Sequence, residues 1–450
     1  MSKLRLAVIG AGPAGIYASD LILKAERDFD VSIDLFDLLP APYGLVRYGV
    51  APDHPRIKGI IKALYEVLDR GDIRFFGNVK YGQDITLEDL KKHYNAVIFA
   101  TGAISDAELA IPGADLEGSF GAADFVNWYD AHPDFPLEWP LQAKEIAVIG
   151  NGNVALDVAR MLIKLPEDLL STDIPDHVYQ GLKSSPVTDV HVFGRRGPAQ
   201  VKFSPLELRE ALEVNGVQAI VYDEDFQYDE GSQAAIDSNN QIRVMVKTLE
   251  NLRENPKQPQ ERRLHLHFFA SPKEILGSDG KVIGLRIEKT ELDGTGNVRK
   301  TGEIIDYPVQ AVYRAVGYFG SAVDQIPFDP KYGVIKNSEG RVLDEDGNAI
   351  PGTYCTGWIK RGPVGLIGHT KADAIETISH VIADRESWWQ PSEPDEAAIL
   401  KTLKDRHVDF IQWENWLKID SAEKSLGEAL GRERLKLFNR DQMLEISKES

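Results

Sequence analysis

Unbroken apolar runs alternate with segments of helical period along the first hundred residues. Leu6-Ala7-Val8-Ile9 is apolar at every position, the pattern of a strand buried on both faces. It leads into Gly10-Ala-Gly12-Pro13-Ala14-Gly15 and a helical pattern from Ile16 to Lys24. A second strand runs from Val31 to Asp37. A helix is predicted over Arg56–Leu68 behind Pro55, a strand over Ile73–Val79, and a buried strand from Ala96 toward Gly102. These elements make a βαβ unit with further strands, which is an α/β pattern. From Glu145 the succession returns: an apolar strand to Ile149, the turn Gly150-Asn151-Gly152-Asn153-Val154-Ala155, then a helical pattern. The tract Asp223–Arg263 is polar, with Ser238-Asn-Asn and Pro256-Lys-Gln-Pro, and predicts a solvated β-excursion of short strands. Val309–Val316 is a further apolar strand that should return the chain toward the first domain. A strand, a glycine turn around Gly362 and Gly365, and a helix over about 366–382 follow. The tail carries Leu400, Leu403, Val408, Ile411, Trp413, Trp416 and Leu417 at helical spacing, which predicts core packing against the first domain.

The two glycine turns carry a specific chemistry. Gly10 permits the tight turn, Gly12 lets backbone N–H groups approach a pyrophosphate, and Gly15 lets the helix pack close to the strand. The helix N-terminus then faces the negative charge. Asp37 stands 22 residues past Gly15, where a carboxylate can accept hydrogen bonds from an adenosine ribose. The second turn lies 140 residues further on, and Ala155 is tolerated at its third position. Its following strand, Asp189–Gly194, ends not on an acid but on Arg195-Arg196-Gly197-Pro198. Guanidinium groups bind a ribose 2′-phosphate that an acid would repel. Two nucleotides are therefore expected, and the second site should prefer NADP over NAD.

At 450 residues the chain is too long for one core. Apolar content of 43% and charged content of 27% are those of a globular protein, and a formal charge of −19 argues against a nucleic-acid binder. No apolar run approaches the length of a membrane span. A first strand beginning at about Leu4 leaves no room for a targeting peptide, so a cytoplasmic location is expected. Cys355 is the only cysteine, which excludes an internal disulfide framework, thiolate metal sites and CxxC redox chemistry.

GAGPAG, PYGLVRYGVAPDHP, GNV, GNGNVALDVAR, GRRGP with LELRE, and GWIKRGPVGLIG occur here in that order. Taken together they resemble the adrenodoxin reductase type of ferredoxin–NADP reductase, including its bacterial members, over nearly the whole chain. The resemblance implies two Rossmann-like dinucleotide-binding domains, the NADP domain inserted into the FAD domain. The expected boundaries are 1–104 and 320–450 for the FAD domain with its helical tail, and 105–319 for the insert. It implies FAD contacts at Ala14, Asp37, Leu45, Val79, Trp358, Gly365, Leu366 and Ile367. It implies NADP(H) contacts at Asn151, Gly152, Asn153, Val154, Arg195, Arg196, Glu207 and Gly365. His54 and Asp157 match a pair that the family places near the flavin for proton handling. Capping or core satisfaction explains His54 equally well, Glu207 at a helix start could serve as a cap, and Asp157 inside an apolar helix should have a buried partner. Three positions depart from the family: Asp37 stands where glutamate is common, Val364 where threonine is usual, and His369 where a small residue is common.

The reaction this implies is hydride transfer from NADPH to FAD, followed by single electrons to an acidic iron–sulfur ferredoxin docked on basic residues such as Lys202 and Arg209. A quinone or dye reductase and a non-catalytic NADPH-sensing flavoprotein stay open as alternatives. A disulfide reductase of the thioredoxin reductase kind needs a cysteine pair that Cys355 cannot supply.

Overall fold

The computed structural model describes residues 3–365 and 367–449, and the chain divides into two compact units. One comprises Met1–Ser105, Asp130–Asp134 and Tyr318–Ser450, and the other Asp106–Tyr129 and Phe135–Gly317.

The first unit is built on a seven-stranded sheet in the order 337–338, 341–343, 349–355, 96–99, 3–9, 30–36, 73–76. The last five strands pair in parallel and the first two add antiparallel at one edge. Alternate residues of the central strand Lys3–Ile9 serve opposite faces. Leu4, Leu6 and Val8 pack with Ile16 and Ile22 of the helix Pro13–Lys24 and with Ala374, Ile378 and Val381 of the helix Ile367–Ala383. Ala7 and Ile9 pack on the other face with Leu90, Ile399 and Leu403. That two-sided burial explains why no polar residue interrupts Leu6–Ile9, while Arg5 earlier in the strand is buried against Asp34 at 2.7 Å. The register places Ile9 beside Phe36 and Phe99, Phe36 beside Phe76, and Phe99 beside Cys355. The carboxyl ends of five strands therefore form one row, and Gly10, Asp37, Gly77, Ala100 and Thr356 follow it directly. Ligands of parallel α/β sheets bind outside such an edge.

The tail folds as three helices, Glu396–Asp405, Trp413–Glu428 and Arg440–Lys448, whose Ile399, Leu403, Trp416, Ile419 and Met443 are fully buried. Two predicted elements are shorter than expected. The strand Ile73–Phe76 stops because Asn78 takes φ +59° and Gly77 N–H turns to Ile411 O at 2.8 Å. The helix expected over 56–68 is two, Pro55–Lys58 and Ile60–Leu68, divided at Gly59, where a residue without Cβ weakens a helix interior.

The second unit contains a six-stranded sheet, ordered 119–121, 311–314, 145–149, 189–193, 262–267, 217–220, in which every pairing is parallel. Beside it lie three antiparallel strands, Ala270–Ser278, Lys281–Leu292 and Val298–Tyr307. The polar tract was expected to be a β-excursion, and the structure corrects this: residues 230–254 form the helices Glu230–Ser238 and Asn240–Glu254. Asp229 and Asn239 cap them, accepting Ser232 N–H at 2.7 Å and Gln241 N–H at 2.9 Å. Met245, Val246, Leu249 and Leu252 form a buried stripe at helical spacing, which outweighs the polar composition around it. Among the described residues, no helix is long and apolar enough to cross a membrane.

Candidate functional site

In the first unit, three backbone segments converge on the N-terminus of the helix Pro13–Lys24. Gly10 has φ +111°, and a Cβ there would stand 2.4 Å from Ala100 O. A Cβ on Gly15 would stand 1.9 Å from Gly10 O, so the helix approaches the strand as closely as glycine alone allows. The second segment is the loop Tyr43–Gly44, with φ +84° and +50°. Tyr43 N–H donates to Ala11 O at 2.8 Å, and a Cβ on Gly44 would lie 3.0 Å from Gly12 Cα. The third is Gly357, with φ +74°, where a Cβ would lie 2.6 Å from Ala14 Cβ. Asp373 holds this last segment by accepting Gly357 N–H at 2.6 Å and the Thr356 hydroxyl at 3.1 Å. Pro13 occupies the first helical turn, and Gly12 is the N-cap without a side chain to fill the space. The result is a cradle of free N–H groups and a positive helix end.

Asp37 accepts Ala11 N–H at 2.6 Å and Leu39 N–H at 2.8 Å, one on each carboxylate oxygen. Burial pushes its carboxyl up to about 6 despite these donors. Each oxygen keeps a lone pair for a hydroxyl ligand. Buried Val79 donates its N–H to Asp37 O at 2.8 Å, which brings both residues to one place. Thr101 adds a buried hydroxyl that has no hydrogen-bond partner among the described residues. Half-buried Leu45 opens the short helix Leu45–Tyr48. Trp358 is half-buried, its ring stacked on Tyr318 with centroids 6.2 Å apart. His54 is buried at the N-cap of Pro55–Lys58, where its carbonyl accepts Ile57 and Lys58 N–H and its ring makes no capping bond. Gly365 is exposed with φ +85°, and Ile367 begins the helix Ile367–Ala383. Leu366 lies outside the described residues.

The second unit repeats the cradle. Gly150 has φ +147°, a Cβ there would meet Ala315 O at 2.2 Å, and Gly152 has open space around it. Asn151 O accepts Lys202 N–H at 2.9 Å, and Asn153 Oδ1 accepts Ser204 N–H at 2.8 Å. These bonds tie the glycine turn to the start of the helix Pro205–Leu212, where Ser204 caps by accepting Glu207 N–H. Val154 lies in the first turn of the helix Asn153–Ile163. Asp157 has the expected partner. Arg160, fully buried, donates to it at 2.9 Å and reaches the buried Glu207 at 3.8 Å. Arg195 is exposed and Arg196 half-buried, just beyond the strand Asp189–Phe193, and neither guanidinium has a carboxylate partner among the described residues. Consecutive arginines without a carboxylate partner are free to meet an anion, in a chain of net charge −19.

Tyr43, Gly357, Thr101 and Arg160 escaped the sequence reading. Trp358 advertised its neighbour Gly357, whereas nothing local marks Tyr43.

Two glycine-turned parallel folds in one chain define a class, and residues 4–218 match the family of pyridine nucleotide-disulphide oxidoreductases. NADPH-ferredoxin reductase FprA of Mycobacterium tuberculosis is 40% identical over 462 residues, covering 99% of each chain. The mitochondrial NADPH:adrenodoxin oxidoreductases of Arabidopsis thaliana and Bos taurus are 38% and 37% identical, each over 98% of this chain and 95% and 92% of their own. The solved structure of Mycobacterium tuberculosis FprA in complex with NADPH superposes with a TM-score of 0.92 at 38% identity, over 99% of this chain and 100% of its own. The chain belongs to the NADPH-ferredoxin and adrenodoxin reductase family. Its lone Cys355 is buried, and burial pushes the thiol far up, which removes it from redox chemistry.

Proposed function

We propose that this protein is a cytoplasmic flavoenzyme that moves electrons between NADPH and an acidic iron–sulfur ferredoxin. In this reading FAD sits in the cradle of the first unit and NADP(H) in that of the second. The observation that carries it is the contrast after the two glycine turns: Asp37 in one unit, unpaired Arg195 and Arg196 in the other.

Both sites fit their ligands. Gly12 and Gly152 keep the space at the two helix starts clear of side chains, Asp37 keeps acceptor capacity for ribose hydroxyls, and Thr101 offers an unused hydroxyl. Gly12, Ala14 and Gly15 would hold the FAD pyrophosphate, with Leu45, Val79, Trp358 and the Gly365–Ile367 stretch around the rest of the molecule. Asn151 to Val154 would hold the NADP pyrophosphate, and Arg195 and Arg196 its 2′-phosphate. Bound FAD supplies the exchange between a hydride's two electrons and single electrons. The residues here bind, orient and exclude water, and none need act as a nucleophile. Buried His54 is the candidate proton-handling group. Asp157, neutralising buried Arg160, is better placed to position the Glu207 segment than to move a proton. Exposed Lys202 and Arg209 have no carboxylate partner among the described residues and suit an acidic ferredoxin.

Stopped-flow mixing with NADPH tests the reading. A yellow protein should bleach and then pass electrons to a ferredoxin at a rate that falls as salt rises. A colourless protein, or one whose flavin NADPH leaves oxidised, would end it.

A further inference from the structure

We infer that the C-terminal tail is a clamp on the flavin cradle, with Glu423 as a positioning residue for the loop that forms one wall of it. The inference rests on the FAD reading above. The wall is Tyr43–Tyr48, and its backbone is under strain: Tyr43 holds φ +84°, a conformation that is costly for a residue with a Cβ and persists only where the surroundings over-determine it.

Beyond the Tyr43 N–H bond to Ala11 O, the surroundings that do so come from the tail. Arg47, 3% exposed, makes two parallel hydrogen bonds to Glu423, 0% exposed, at 2.5 and 2.9 Å. Glu423 is itself fixed, accepting Arg434 at 3.0 Å and Leu437 N–H at 2.9 Å. Lys436 Nζ donates to Arg47 O at 2.8 Å, so the tail grips the same residue at side chain and backbone. Trp416 lies edge-on to Tyr43 with centroids 6.0 Å apart, and its ring also carries the Arg47 guanidinium at 5.1 Å. Further along, Arg440 donates to Leu38 O at 3.0 Å and to Asn78 Oδ1. Leu38 and Asn78 are the neighbours of Asp37 and Val79, and Arg440 is anchored in turn by Asp134 at 2.8 and 2.9 Å. The tail thus touches the cradle at two separated places.

A tail serving only to complete the core would need its apolar stripe alone. A buried bidentate ion pair adds little net stability over apolar residues of similar volume, so its direction carries the information. Glu423, Lys436 and Trp416 all bear on the one segment whose displacement would open the cradle toward Gly12.

The test uses the holoprotein and follows FAD release by fluorescence after dilution, together with visible circular dichroism of the bound flavin. Glu423→Gln should speed release at least tenfold and change the flavin dichroism, and Glu423→Asp should fall between it and wild type. Arg440→Met, which removes the grip on Leu38 O and leaves only the exposed Asp134 without its partner, should move release in the same direction and supplies the readout if Glu423→Gln does not fold. Binding of adenosine 2′,5′-bisphosphate, a probe of the second unit, should be unchanged in each. Release within twofold of wild type in a folded variant overturns the clamp. So does faster release that only tracks lost bisphosphate binding. A wild type that purifies without FAD would instead sink the parent reading.

Discussion

Arg195 and Arg196 offer the sharpest perturbation, because alanine at either position strands no acid: neither has a carboxylate partner among the described residues. A hydrogen bond to a charged group contributes about 1.5–3 kcal/mol. The exposed Arg195 belongs at the low end and the half-buried Arg196 toward the high end. With about 1.4 kcal/mol per factor of ten, Arg195→Ala should weaken NADPH about tenfold and Arg196→Ala by up to about 100-fold. If both guanidiniums address one phosphate, as proposed, the double variant should lose less than the product. NADH lacks that phosphate and should be used as before. Steady-state assays with both coenzymes read this directly: KM for NADPH should rise while kcat holds, since the 2′-phosphate is far from the reacting atoms and is bound equally in ground and transition states. The loss should shrink at high salt. Equal losses with NADPH and NADH, or none with either, would refute the assignment.

Further outcomes follow from other contacts. Gly15→Ala places a Cβ 1.9 Å from Gly10 O, so the variant should purify without yellow colour and with a lowered melting point, and normal flavin content would show that the close approach is dispensable. In the second unit His191, His265 and His267 stack on one sheet face, His191 Nδ1 and His267 Nε2 lying 2.9 Å apart. Burial pushes His191 down to about 4 and His267 down to about 2. Folded pKa values below the unfolded value of about 6.5 mean the unfolded chain binds more protons, so stability is lost as pH falls from about 6.5 toward 4, at about 1.4 kcal/mol per pH unit for each proton. Urea midpoints between pH 7 and 4.5 should show this, with a flatter dependence in His191→Gln; an unchanged slope would dismiss the cluster as its source. Cys355 should resist thiol reagents until the protein unfolds, and Cys355→Ser should keep full reductase activity, whose loss would reopen thiol chemistry.

The sequence made the two glycine turns legible because their requirements are local: a tight turn, a close helix and a free N-terminus each demand a small residue within five positions. Asp37 and the arginine pair were legible for the same reason, since the strand before each fixes where it emerges. The tail could be read only as core. Its apolar stripe is periodic, but the partnership of Glu423 with Arg47 spans 376 residues and leaves no mark on either neighbourhood. The helices over 230–254 are hidden in the sequence because Ser, Asn and Asp suit loops as well as caps, and at Asp229 and Asn239 the same chemistry starts helices. Arg160 sits in plain view on the helix Asn153–Ile163, yet its role between Asp157 and Glu207 depends on how the Pro205–Leu212 segment is tied to Asn153.

The pairing of strand 96–99 with strand 349–355 has a consequence for how the protein is made. About 250 residues separate the two partners, so at roughly 5–20 residues per second a ribosome needs on the order of 12–50 s to deliver the second after the first. Throughout that interval Ala96–Phe99 is an open, wholly apolar edge, while the second unit emerges with its own sheet partners already in the intervening stretch. The nascent chain therefore passes through a period with one unit able to close and the other waiting. Chaperone holding should act within that interval, and cofactor capture after the last strand and the tail have left the ribosome.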